Sequence, residues 1–160
     1  MKLFLLRHGE AEPSASTPAG RQLTETGKQE VSSVARQFAT ERITIDACFV
    51  SPALRAQQTA ATFLSHIFEP PSSSTIEELS ANQRAARLMQ LLEQVDAENV
   101  LLVSHNPILS ELLALLTQGN VEDMTILGTA QLACVSLDVL GLGMGTCNFI
   151  LSPDSTTSVS

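Results

Sequence analysis

Three short apolar runs that break off abruptly at polar residues constrain this chain more than any other feature. Leu3–Leu6 stops at Arg7-His8-Gly9, Cys48–Val50 stops at Ser51-Pro52, and Val100–Val103 stops at Ser104-His105-Asn106. Each run is the length of a buried strand, and each is followed, directly or after a loop, by residues whose apolar positions recur at helical spacing. Thr24 can cap a helix running to about Arg42, with Val31, Val34, Ala35 and Phe38 forming its inward stripe. Pro52 suits the first turn of a second helix, Ala53 to Phe68, which Pro70-Pro71 stop. The strand before that helix reads as Ile43 to Val50. The serine run Ser72 to Ser74 reads as a linker into a short strand or turn at TIEEL, and Ala81 to Val95 as a third helix with Leu88, Leu91, Leu92 and Val95 inward.

After the strand Asn99 to Ser104, a helix from about Ile108 to Thr117 closes at Gly119. Gln131 to Leu140 and Thr146 to Leu151 are β-type runs joined by GLGMG, a connection short enough to make them antiparallel neighbours at one side of the sheet. Alternation of strand and helix followed by a hairpin predicts a three-layer α/β/α sandwich, with a mainly parallel sheet and an antiparallel C-terminal strand. One domain over residues 1–152 is expected, with a polar tail at 153–160.

Composition narrows the chemistry. Hydrophobic residues make up 44% and charged residues 16% of the 160, without an apolar stretch long enough to span a membrane. Met1-Lys2 leads straight into a core strand rather than a signal peptide, so a cytoplasmic location is expected. The three cysteines, Cys48, Cys134 and Cys147, lack C-x-x-C spacing, which argues against a disulfide framework or a zinc site. A formal net charge of -8 argues against nucleic-acid and anionic-membrane partners. A local cluster of Arg and His therefore needs a reason.

In a parallel sheet, ligands sit beyond the carboxyl ends of the strands. Arg7 and His8, Arg55 one turn into the second helix, and His105 would then meet at one edge. Guanidinium groups match phosphoryl oxygens bidentately, and a neutral imidazole is a competent nucleophile toward phosphorus. Gly9 is expected to let the backbone approach a ligand closely and turn where a Cβ would resist. The helix starts at Pro52 and Pro107 would add positive dipole ends. Ser51 and Ser104 are read as backbone hydrogen-bond partners, and His66, Arg36, Arg42, Arg84 and Arg87 as surface or boundary residues.

LFLLRHGEA near the start, LTETG opening the first helix, VSPALRAQQTA after the second strand and VLLVSHNP late in the chain resemble, in that order, the histidine phosphatase superfamily, also called the phosphoglycerate-mutase-like fold. Size and wording are most similar to the small SixA-type phosphohistidine phosphatases of bacteria. The resemblance implies that His8 is the nucleophile that becomes phosphorylated, and that Arg7, Arg55 and His105 form the phosphate pocket. It implies a substrate-binding place for Arg21 near the mouth, and catalysis without metal or cofactor.

For the proton donor, Glu78 in IEELS is the nearest positional match, with Glu77 and Glu10 as rivals. A carboxylate at the start of such a loop can equally serve a helix N-terminus. The expected substrate is a partner protein carrying phosphohistidine, served by a monomer with an open site. A small-molecule phosphomonoesterase or mutase, and a phosphohistidine-binding module without turnover, are the alternatives.

Overall fold

The computed structural model describes residues 1–154. A six-stranded sheet runs in the order β3-β2-β4-β1-β5-β6. Its strands are β1 (Lys2–Arg7), β2 (Ala47–Val50), β3 (Ser73–Thr75), β4 (Asn99–Ser104), β5 (Leu132–Leu137) and β6 (Gly145–Leu151). Strands β1 to β4 are mutually parallel where they pair, whereas β5 and β6 run antiparallel. The helices are α1 (Glu25–Thr40), α2 (Leu54–Leu64), α3 (Ala85–Leu92) and α4 (Ile108–Gln118).

The three layers follow from the two-residue period of the central strands. Phe4 and Leu6 on β1, with Leu101 and Val103 on β4, enter a core completed by Val31, Phe38 and Phe63 from α1 and α2. Their neighbours Leu3, Leu5, Val100 and Leu102 point the other way, onto Leu88, Leu92, Ile108 and Leu112 of α3 and α4. Each fully buried side chain of this kind contributes about 1.5–3 kcal/mol, so the two faces anchor the sheet from both sides.

Local signals act as expected at several ends. Thr24 Oγ1 accepts from the Gly27 amide at 2.9 Å, capping α1. Gly119, at φ +80°, terminates α4 in the left-handed region open to glycine. Among the described residues no helix is long and apolar enough to cross a membrane.

Other boundaries differ. β2 begins at Ala47 rather than Ile43 because Ala47 pairs with Val100, so the residues before Asp46 have no β4 residue opposite them. Asp46 instead closes the ladder, its carboxylate accepting from the Asn99 amide at 2.8 Å. α2 ends at Leu64, where His66 and Ile67 tighten into bonds to Phe63 and Leu64, and Phe68 is 82% exposed rather than on the buried face. α3 is confined to Ala85–Leu92, with Ser80–Gln83 taken by a turn. Two residues of the serine run, with Thr75, form strand β3, exposed at the sheet edge, and Glu77–Leu79 is a 3-10 turn. Of the expected tail, Asp154 is tied to α1 through its amide and Ser33 Oγ at 3.0 Å, and residues 155–160 lie outside the described residues.

Candidate active site

β1 and β4 are in register from Lys2↔Asn99 to Arg7↔Ser104, so His8 and His105 leave the same edge of the sheet at the same level. The His8 amide continues the ladder onto Ser104 O at 2.9 Å, and the two imidazole rings stand 6.3 Å apart, centre to centre, at 79°. α2 starts beside them after Pro52-Ala53, placing Arg55 in its first turn. The Arg55 guanidinium then donates from Nε to His8 Nε2 at 3.3 Å, from Nη2 toward His105 Nδ1 at 3.2 Å, and from Nη1 to the Pro18 carbonyl at 3.1 Å. All three side chains are almost wholly buried: His8 is 6%, Arg55 8% and His105 3% exposed.

These partners assign the His8 tautomer. Nδ1 lies 2.7 Å from the Gly9 carbonyl, which can only accept, so Nδ1 carries the proton. Nε2 is left with its lone pair, onto which Arg55 Nε donates. Burial lowers the His8 pKa to about 4, with the charges of Arg55, Arg7 and His105 pushing the same way against the Gly9 carbonyl. His8 is thus a neutral imidazole at physiological pH, presenting Nε2 to the cleft. Burial, and then the Arg55 charge, also lower His105.

Arg7 is aimed from a part of the chain that carries no sequence pattern. Its Nη1 donates to the Leu127 carbonyl at 2.8 Å, and Asn106 Nδ2 donates to the same oxygen at 2.8 Å. Ser110 Oγ fixes both neighbours, accepting from the Leu127 amide at 3.0 Å and donating to Asn106 Oδ1 at 2.7 Å. Arg7 Nε and His105 Nε2 are buried with no hydrogen-bond partner. Buried donors without acceptors are rare.

The cleft has a volume of about 330 Å³ and brings Arg7, His8, Arg55 and His105 together with Arg21, Glu10, Asn106 and Thr129. Arg21 stands at the mouth, its Nη1 3.4 Å from Glu12 O, close enough to lower the Arg55 pKa after burial has done so. Glu78 does not line this cleft: its carboxylate pairs with Arg87 at 3.5 Å on the outer surface. Glu77 borders a neighbouring groove, and of the three carboxylates considered Glu10 alone lines the cleft. Among the described residues no group of three or more His, Cys, Asp or Glu side chains could hold a metal ion.

Gly9 resists a Cβ because of helix packing. It is not among the glycines at positive φ, which are Gly119 and Gly143. A Cβ on Gly9 would lie 2.7 Å from the Gly27 carbonyl and 2.9 Å from Val31 Cγ2, so its smallness lets α1 lie against the strand exit. Thr59, unmarked in the sequence, fixes the same peptide. Its buried hydroxyl accepts from the Gly9 amide at 3.1 Å and donates to the Arg55 carbonyl at 2.7 Å. Ser104 Oγ donates to Leu79 O at 2.6 Å and Ser51 Oγ accepts from the Ala53 amide at 3.3 Å, both serving backbone as expected.

Residues 3–80 match the family model described as histidine phosphatase superfamily (branch 1). Over 156 residues, covering 96% of this chain and 94% of the relative, the sequence is 31% identical to the phosphohistidine phosphatase SixA of Escherichia coli K12. The chain belongs to the histidine phosphatase superfamily. Its fold superposes on the protein histidine phosphatase SixA complexed with tungstate at a TM-score of 0.85, with 32% identity over 96% of this chain and 97% of that one. An alpha-ribazole phosphatase from Shigella flexneri, 20% identical over 95% of this chain and 96% of that one, shares the fold at a TM-score of 0.74. As a histidine phosphatase, the chain keeps the mixed sheet of these relatives, parallel except for its C-terminal strands.

Proposed function

We propose that this histidine phosphatase hydrolyses phosphohistidine on a partner protein, with His8 as the covalent carrier of the phosphoryl group. The observation that carries the reading is the state of His8: a buried neutral imidazole with Nδ1 held by Gly9 O and Nε2 facing a cleft of cationic donors. In the first step Arg55 Nε–H releases Nε2, whose lone pair forms a bond to phosphorus as the substrate's N–P bond breaks, and the departing imidazole takes a proton from Glu10. In the second, water attacks phosphorus and gives a proton to the Glu10 carboxylate, the His8 N–P bond breaks with its electron pair returning to Nε2, and inorganic phosphate leaves. Arg7, Arg55 and His105 surround the equatorial oxygens, where positioned charge lowers the barrier most, and Arg21 receives the substrate at the mouth.

The tungstate bound by SixA is a tetrahedral oxyanion of the same shape class as phosphate, which supports an oxyanion place among these donors. For the proton, the reading passes from Glu78 to Glu10, the carboxylate at the cleft. The demand on that acid is modest, because imidazole leaves far more readily than an alkoxide. Free thiols buried at Cys48 and Cys134 support a reducing, cytoplasmic setting, and the protein is taken to act as a monomer.

The test is to mix the enzyme with a histidine-phosphorylated phosphocarrier protein, quench rapidly, and look for acid-labile, alkali-stable phosphate on the enzyme. His8→Ala should abolish both the phosphoenzyme and turnover. Turnover retained in that variant would refute the mechanism, and efficient hydrolysis of sugar phosphates with no action on the phosphoprotein would favour the small-molecule reading.

A further inference from the structure

Arg55 is a partition as well as a phosphate ligand. Nε and Nη2 face His8 and His105, but Nη1 turns to the Pro18 carbonyl, and on that side lies a second groove of about 350 Å³. Pro18, Ala19, Pro52, Ala53, Glu77 and Ala81 line it. Small and apolar residues leave this space open, and its one charged group besides Arg55 is the Glu77 carboxylate, exposed and held by Ser80 Oγ at 3.1 Å. The two depressions therefore share Arg55 and have opposite polarity. One gathers three guanidinium and two imidazole groups against the single Glu10 carboxylate, and the other sets the Glu77 carboxylate among small apolar residues.

We infer that this groove docks the segment of the substrate protein next to its phosphohistidine, accepting an apolar side chain between Ala19 and Ala81 and a lysine or arginine against Glu77. The inference rests on the phosphohistidine reading above and adds the recognition element that reading lacks. A phosphoryl group alone cannot tell one donor from another, because every donor presents the same oxygens to Arg7 and Arg55. A neighbouring residue that crosses Arg55 into a groove of opposite polarity can, and it also orients the chain on the enzyme. Phosphoramidate, which has nothing beyond its P–N bond, does not reach this groove.

Two short phosphohistidine peptides test it, one with Leu-Lys beside the phosphohistidine and one with Gly-Gly, alongside phosphoramidate. The wild-type enzyme should favour the Leu-Lys peptide in kcat/KM by about tenfold or more, as expected for one apolar side chain in a fitting pocket. Ala81→Phe, which fills the groove, and Glu77→Lys, which reverses its charge, should erase that preference through KM and leave phosphoramidate turnover within about twofold, a change too small to reflect damage to phosphate binding.

Equal use of the two peptides by the wild type, or a preference that survives both substitutions, would overturn the groove while leaving the phosphohistidine reading intact. Parallel loss of phosphoramidate turnover in both variants would overturn it too, since the groove would then merely shape Arg55. Hydrolysis of neither peptide, with phosphoramidate still turned over, would refute the phosphohistidine-protein reading and the groove with it.

Discussion

Acidifying the protein from neutral pH to about 4 should cost the fold roughly 3 kcal/mol through His8 alone. In the unfolded chain this imidazole takes up a proton at its ordinary pKa of 6.5, but in the native cleft it does so only at about 4, because protonation there means burying a charge against Arg55 and Arg7. Each unit of difference is worth about 1.4 kcal/mol. The unfolded state binds more protons between these two values, so stability falls as pH falls through that window. Above 6.5 both states are neutral and His8 contributes nothing, whereas below 4 the loss is complete. The lowered pKa of His105 adds in the same direction, and the raised pKa of Glu30, caused by burial and then by Glu10, opposes it.

A difference measurement isolates His8. Urea unfolding of the wild type and of His8→Gln, followed at intervals across this range, should give a stability gap that shifts by about 3 kcal/mol in favour of the variant as the pH drops, since glutamine cannot titrate. The same imidazole sets the acid limb of phosphoenzyme formation, which should fall near pH 4 to 5 rather than near 6.5. A gap that stays constant with pH, or an NMR titration of His8 centred near 6.5, would refute the reasoning.

Arg55→Lys should lower phosphoramidate turnover by about a hundredfold or more, because one ammonium cannot replace donors directed at His8, His105 and Pro18 O together; a rate near wild type would argue against the pocket. Thr59→Val leaves the buried Gly9 amide without an acceptor and should cost about 1–3 kcal/mol in denaturant unfolding, with kcat reduced and both restored by Thr59→Ser. Gly27→Ala would gain about 1 kcal/mol from helix propensity alone. Its Cβ would run into the Glu10 carbonyl, so the measured change should instead be a loss of about 1–3 kcal/mol. Glu10→Gln should slow hydrolysis of alkyl phosphate esters more than that of phosphohistidine peptides, and equal slowing would remove Glu10 as the proton donor.

The layers, the parallel core of the sheet and the meeting of Arg7, His8, Arg55 and His105 were legible because they depend on local signals. Apolar runs locate strands, and the residues after parallel strands share one edge. The strand register that levels His8 with His105 follows from two such runs and needs no contact that the sequence hides. Sequence patterns are silent where geometry is set by a single backbone atom. Leu127 O aims Arg7, yet residues 120–130 have neither helical nor strand periodicity. Thr59 resembles any helical threonine until its hydroxyl is seen against Gly9. The place of Glu78 was hidden for a related reason: two adjacent carboxylates in a 3-10 turn take different surroundings, one pairing with Arg87 and one lining the groove. The ends of β2 and α3 were overestimated because their true limits come from β4 and a turn, not from apolar content.

The central place of β1 has a consequence for how the protein is made. Its two neighbours in the sheet start at Asn99 and Leu132, and Arg7 waits for the Leu127 carbonyl, so β1 can be fitted on both sides only after residues far along the chain have been made. Closing such distant pairings is slow compared with forming helices, and until β5 arrives one full edge of β1, apolar on both faces, stays open to pairing with other chains. A nascent chain halted before Leu127 is therefore adhesive along β1 and still lacks the carbonyl that aims Arg7.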